Sequence, residues 1–167
     1  MNDESDAVQG GDLRFDISVP GHGWWLASSQ RREQLGVEFL AYGPTEAPWF
    51  ESNIVAALDP RPSGVPMDDL ANEYAIQGSA GAEALRVVRR ETVGESLTQL
   101  VEFPASDPDT GAAHLLQQLQ TLIAIDDTSG GPGAIVMVSL TTPPDELRGN
   151  LEAFQECVAS VKVTAGD

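Results

Sequence analysis

Residues 112–127 read AAHLLQQLQTLIAIDD, and the fold turns on whether they form a helix or a strand. Leu115, Leu116, Leu119, Leu122 and Ile123 fall at helical spacing, which argues for a helix. The surroundings argue the other way. The segment runs into Thr128-Ser129-Gly130-Gly131-Pro132-Gly133, and beyond that tip residues 134–141 (AIVMVSLT) form a buried strand by their β-branched content. Two extended runs about a Gly-rich tip make a hairpin. Spacing and layout leave both readings open at this point.

Working outward, residues 84–93 (ALRVVRRETV) and 96–103 (SLTQLVEF) are joined by Gly94-Glu95, a second hairpin signal. On a strand, Arg86 and Arg90 would face one side and Arg89 the other. Residues 104–111 (PASDPDTG) read as a loop. Upstream, Leu13, Phe15, Ile17 and Val19 alternate with polar residues, a strand with one wet face, closed by Pro20-Gly21-His22-Gly23. Residues 37–42 and 52–58 are two more short strands, and residues 28–34 form a polar stretch. A helix starts near Met67, with Asp68 and Asp69 at the positive end of its dipole, and ends at Gly78 or Gly81. A closing helix opens with Pro143-Pro144-Asp145-Glu146 and carries Leu147, Leu151, Phe154, Val158 and Val161 as an apolar stripe. With residues 112–127 taken as a strand the order is β-β-β-α-β-β-β-β-α, an α+β layered domain.

The chain has 167 residues, 41% of them hydrophobic, enough for one sizeable core. The division expected is an arm over residues 1–12 and one domain over 13–167. Asp and Glu number 26 against 9 Lys and Arg, a formal charge of −17. That balance excludes a nucleic-acid binder that works by neutralising phosphates, and it argues against anionic membranes. The start, MNDESDAVQGGD, has no basic region followed by an apolar stretch, and no run approaches a membrane span, so a cytoplasmic protein is expected.

Candidate chemistry is thin. His22 lies in a Gly-rich turn and His114 has no partner in sequence; two distant histidines do not build a metal site. Cys157 falls near the buried stripe of the last helix and reads as a packed small hydrophobe. Asp107-Pro108-Asp109-Thr110-Gly111 begins like a calcium loop, but position 118 is Gln where the closing Glu would stand, so a plain turn is expected. The Gly-rich tip lacks the Lys of a phosphate loop, and no G-x-S-x-G elbow occurs. No catalytic residue, metal or cofactor is assigned. Trp24, Trp25, Trp49 and Phe50 stand out in a chain with ten aromatic residues. At least one of the tryptophans is expected in the core, and exposed ones would anchor a partner.

Particular residues in this order resemble the PsbP-like superfamily, which includes the Mog-type and the actinobacterial LpqN-like small proteins. An opening strand runs into a Pro-Gly-Trp turn (residues 15–20, then Gly23-Trp24), and a strand holds Asn53-Ile54-Val55. A helix begins Met67-Asp68-Asp69-Leu70, and a long hairpin ends in Thr142-Pro143. The last helix carries Phe154 and then Val158-Ala159-Ser160. The resemblance spans roughly residues 13–163. It implies a three-layer αβα sandwich with a central antiparallel sheet, and with it the strand reading of residues 112–127. It also implies an accessory or adaptor role. The expected function is non-enzymatic binding of a protein partner through a surface aromatic patch, with acidic surroundings selecting a basic partner. The binding residues expected are Trp25, Trp49, Phe50, Arg86 and Arg90, although self-pairing is the commoner fate of such arginines. The alternative is a small-molecule binder or cryptic hydrolase with a pocket between sheet and helix, with His22 and Asp107 as its candidates. A monomer or a homodimer fits either.

Overall fold

In the computed structural model, which describes residues 13–21, 23–61, 64–80, 82–125 and 133–165, the deciding segment is extended. It forms strand β7 (Ala113–Ile125), paired antiparallel with β6 (Ser96–Ser106) on one side and β8 (Ala134–Thr142) on the other. Its leucines only imitate helical spacing. Leu116 and Leu122 face one side of the sheet together with Gln118 and Gln120, while Leu119 and Ile123 face the other. The hairpin tip, including the calls on Asp126, Asp127 and the Gly-rich run to Pro132, lies outside the described residues, as do the arm and His22.

The remaining strands complete an antiparallel seven-stranded sheet. They are β2 (Trp25–Leu26), β3 (Phe39–Tyr42), β4 (Asn53–Pro60) and β5 (Arg86–Val93), in the order β2-β3-β4-β8-β7-β6-β5. Helix α2 (Met67–Gly78) covers one face and α3 (Leu147–Ser160) the other. This is the expected αβα sandwich. The face under α3 is apolar: Phe39, Ile54, Val138, Leu140, Phe154 and Cys157 meet there, fully buried.

The face under α2 has two apolar ends and a polar centre. Leu70 and Ala71 pack on Leu97, Leu122 and Ile135 at one end; Ala75 packs on Val101, Phe103 and Leu116 at the other. Between them lie Gln99, Gln118 and Gln120, all buried. Gln99 Nε2 donates to Ala71 O (2.8 Å) and to Gln120 Oε1 (2.7 Å). Gln120 Nε2 donates to Tyr74 O (2.9 Å) and to Gln118 Oε1. Gln118 Nε2 donates to Gly78 O (3.4 Å) and to Thr141 Oγ1 (2.7 Å). Each amide spends one hydrogen on a helix carbonyl and the other on its neighbour. Carbonyls 71, 74 and 78 fall on one helical stripe, so the ladder reads the face of α2 directly. Gly78 makes this possible, because a Cβ there would collide with Gln118 Oε1.

Other differences from the sequence reading have local causes. Strand β6 continues through Pro104 to Ser106, where a loop was expected. β5 pairs with β6 only as far as Glu102, so beyond it β6 is an edge and the missing Pro104 N–H costs no ladder bond. The first strand stops at Asp16 and leaves the main sheet. As β1 (Leu13–Asp16) it pairs with β9 (Lys162–Ala165), a strand not expected after α3. The polar stretch holds α1 (Ser29–Leu35), which buries no residue. It stands on its caps: Ser28 Oγ accepts from Arg31 N, and Gly36 takes the left-handed conformation. A 3₁₀ turn (Pro144–Glu146) precedes α3.

One correction concerns the arginines. The β5–β6 register shifts between Val87 and Arg89. The extra residue of this bulge reverses the alternation. Arg86 stands opposite Glu102 on the α3 side, whereas Arg90 stands opposite buried Gln99 under α2. Arg86 and Arg90 therefore face opposite sides of the sheet.

Candidate functional site

Gly43 closes β3, and its lack of a side chain lets the Trp24 ring lie against the backbone there; a Cβ would collide with that ring. Trp24 is half-buried and packs against the apolar cluster under α3. Its neighbour Trp25 points the other way, opposite Tyr42 in the register, as alternation along an extended chain requires. The connector from Gly43 to Ser52 then crosses the end of the sheet.

Glu146, in the turn before α3, ties this connector down. Its Oε2 accepts from Ala47 N (3.0 Å) and Glu46 N (3.3 Å). Its Oε1 lies 3.0 Å from Thr45 Oγ1 and 3.3 Å from Ser52 Oγ. Bonds from neutral donors to a carboxylate are stronger than neutral pairs, so one side chain holds two segments a hundred residues apart. On the far side of the connector, Trp49 stacks on His114 with ring centroids 4.2 Å apart and planes 11° apart. The result is a groove of about 710 Å³ between the connector and α3. Trp24, Pro44, Ala47 and Ala153 supply apolar lining, and Glu46, Asp145, Glu146, Glu152 and Glu156 supply carboxylates. Among the described residues no Lys, Arg or His lines it.

The expected site residues do not form one patch. Trp25 is 52% exposed, its ring 4.9 Å from that of Tyr42. Trp49 and Phe50 are half-buried against Phe103, Leu116 and Ala75. Trp25 sits on β2 and His114 on β7, four strands apart, which is roughly 20 Å at about 4.8 Å per strand. The arginines are engaged within the chain. Arg86 reaches Glu102 at 2.6 Å; Arg90 donates to Gln99 Oε1 (2.7 and 2.9 Å) and Asn72 Oδ1 (2.7 Å), with Asp68 at 3.8 Å.

Asp107 forms the turn expected of it. Its Oδ1 accepts from Asp109 N at 2.8 Å, and this bond is the main cause of a carboxyl pKa below the usual range. Cys157 is fully buried, with its thiol donating to Ser18 O, and desolvation pushes its pKa up to about 12. That is the reverse of what a nucleophile needs. Tyr74 donates to Asp59 Oδ2 at 2.6 Å, and burial chiefly, then Asp59, raises its pKa. Among the described residues no group of three or more His, Cys, Asp or Glu is placed to hold a metal ion, and no helix is long and apolar enough to cross a membrane.

Sequence reasoning named Trp24 but missed the groove. Its walls come from residues 44–47 and 145–156 with Gly21 and Trp24, and the bonds of Glu146 join the two longer stretches.

An antiparallel sheet with helices packed against it is consistent with the PsbP-like architecture. Solved structures share this fold at low identity, among them the following three. LpqN of Mycobacterium tuberculosis, involved in cell envelope biogenesis, superposes with a TM-score of 0.59 at 16% identity, over 92% of this chain and 85% of that one. The Ran-binding protein Mog1p of Saccharomyces cerevisiae gives 0.58 at 15%, over 92% and 90%. The cyanobacterial PsbP of Synechocystis sp. PCC 6803 gives 0.52 at 13%, over 92% and 94%. At these identities the likeness is one of fold. No protein-family model matches the chain, and no curated protein matches it.

Proposed function

We propose that this chain is a non-enzymatic accessory protein of the bacterial cytoplasm that binds a basic protein partner. The carrying observation is the charge: −17 overall, with Arg86, Arg89 and Arg90 already paired inside the chain. Such a surface attracts basic partners and repels acidic ones. Mog1p, which shares the fold, is a Ran-binding protein, and so these layers can carry a protein-docking surface. Of the three aromatic residues expected to anchor the partner, Trp25 has the most surface left to desolvate. Trp49 and Phe50 lie apart from it, half-buried, and serve to fix the connector.

Affinity capture from native lysate with the tagged, cross-linked protein tests this. A stoichiometric basic partner, retained at moderate salt and lost with Trp25→Ala in a folded protein, is the expected result. No partner even at low salt overturns it. The second reading, a small-molecule binder, draws on the groove, whose 710 Å³ falls within the usual size of ligand sites. A metabolite screen by thermal shift is its test.

A further inference from the structure

Gly149 is a glycine that the fold does not require. It lies in the first turn of α3 without a positive φ, and a Cβ built there meets no heavy atom within 4 Å. Gly43 and Gly78 differ, since each makes room for a neighbouring side chain. Glycine weakens a helix relative to alanine, so at Gly149 the fold bears a cost for no packing gain. Gly149 is on the wall of the groove, where it leaves the α3 backbone open to close approach. Gly149, Glu152, Ala153 and Glu156 recur at one helical stripe facing Glu46 and Trp24. Glu152 and Glu156 are exposed, and neither is in a salt bridge among the described residues.

We propose that this groove takes a basic, partly apolar peptide segment of the partner, and this rests on the basic-partner reading above. The backbone of the segment passes over Gly149. An apolar side chain lies on Trp24 and Ala153, and Lys or Arg side chains meet Glu46, Glu152 and Glu156. An indole ring also accepts a cation on its face. An anionic ligand is repelled by the carboxylates, and a second copy brings the same −17 charge.

The probe is a short fluorescein-labelled peptide of Lys, Arg and Leu, followed by anisotropy at moderate salt, with spermine as a free cation and an all-Glu counterpart. Wild type is expected to bind the basic peptide and neither control. Glu152→Gln with Glu156→Gln should weaken binding about tenfold or more, whereas Glu83→Gln with Glu91→Gln on the β5 side should change it less than about twofold. Gly149→Ala should melt no lower than wild type yet bind more weakly, and Gly149→Gln should abolish binding. Equal losses from both Glu pairs, undiminished binding by Gly149→Gln, or spermine binding as well as the peptide would each overturn the groove assignment. The two readings separate in the capture experiment. A basic partner held equally by wild type and the Glu152/Glu156 variant rejects the groove alone. No partner held by wild type rejects the basic-partner reading itself.

Discussion

Under α3 the sheet presents Phe39, Ile54, Val138 and Leu140 to Phe154 and Cys157, while under α2 its centre presents Gln99, Gln118 and Gln120 to the backbone of the helix. Apolar burial is non-directional and scales with area, so α3 can be held firmly without being told where to sit. The glutamine ladder is directional. Its bonds reach carbonyls 71, 74 and 78, and a one-residue slip of β7 would turn Gln118 and Gln120 to the opposite face. One face supplies adhesion, the other register.

Removing Phe154 should be the most damaging change on the apolar side. Phe154→Ala is expected to cost about 3–5 kcal/mol in urea unfolding. A loss under about 1 kcal/mol would mean that α3 is not anchored there. On the polar side, Gly78→Ala should cost about 1–3 kcal/mol although alanine favours helix, because Gln118 must leave its bonds to Thr141 and Gly78 O. A stabilised Gly78→Ala would erase the contrast between the faces. Gln120→Ala should also cost about 1–3 kcal/mol by leaving one hydrogen of Gln99 Nε2, and Gln118 Oε1, without these partners. Replacing Gln99, Gln118 and Gln120 together by Met should cost less than the sum of the single changes, since no amide is then left half-satisfied.

Two smaller effects depend on pH. The raised thiol pKa of Cys157 means that the folded state holds its proton longer than the unfolded state. Stability from this group is whole below the ordinary value of 9.0 and falls as the pH rises toward about 12. Cys157→Ala should flatten that alkaline decline in thermal melts, and Ellman's reagent should find the thiol only after unfolding. Glu102 behaves oppositely and weakly. Hydrogen bonding from Gln117, then Arg86, lowers its pKa, so its contribution is present above the ordinary 4.5 and lost as the pH falls through the depressed folded value. Glu102→Gln should cost less than about 1 kcal/mol at neutral pH, as exposed pairs do, and nothing in acid.

The apolar face was far more legible than the polar one. The β-branched run at 134–141 and the stripe through Leu147, Phe154 and Val158 carry their own patterns, and both elements are where those patterns put them. The glutamines of β7 look like surface residues, because amide burial depends on partners drawn from β6, β8 and α2. The bulge that parts Arg86 from Arg90 leaves no mark in RVVRRET, since any residue there can be the unpaired one. α1 lacks an apolar face and could have been found only from Ser28 and Gly36 at its ends. The groove depends on Glu146 bonding to backbone near position 46, a pairing without periodicity. Trp24 and Gly43 were visible, but not that one makes room for the other.

The pairing of Leu13 with Ala165 across β1 and β9 has an architectural consequence. Residues 13 and 165 lie side by side, so a short linker can join them without bending either strand, and the chain can be opened at Gly94, in the tight turn between β5 and β6. Topologically the fold is a closed ring of elements cut at one point. A circular permutant joined from 165 to 13 and opened at Gly94 is expected to fold, with the connector uncut in one segment and α3 uncut in the other.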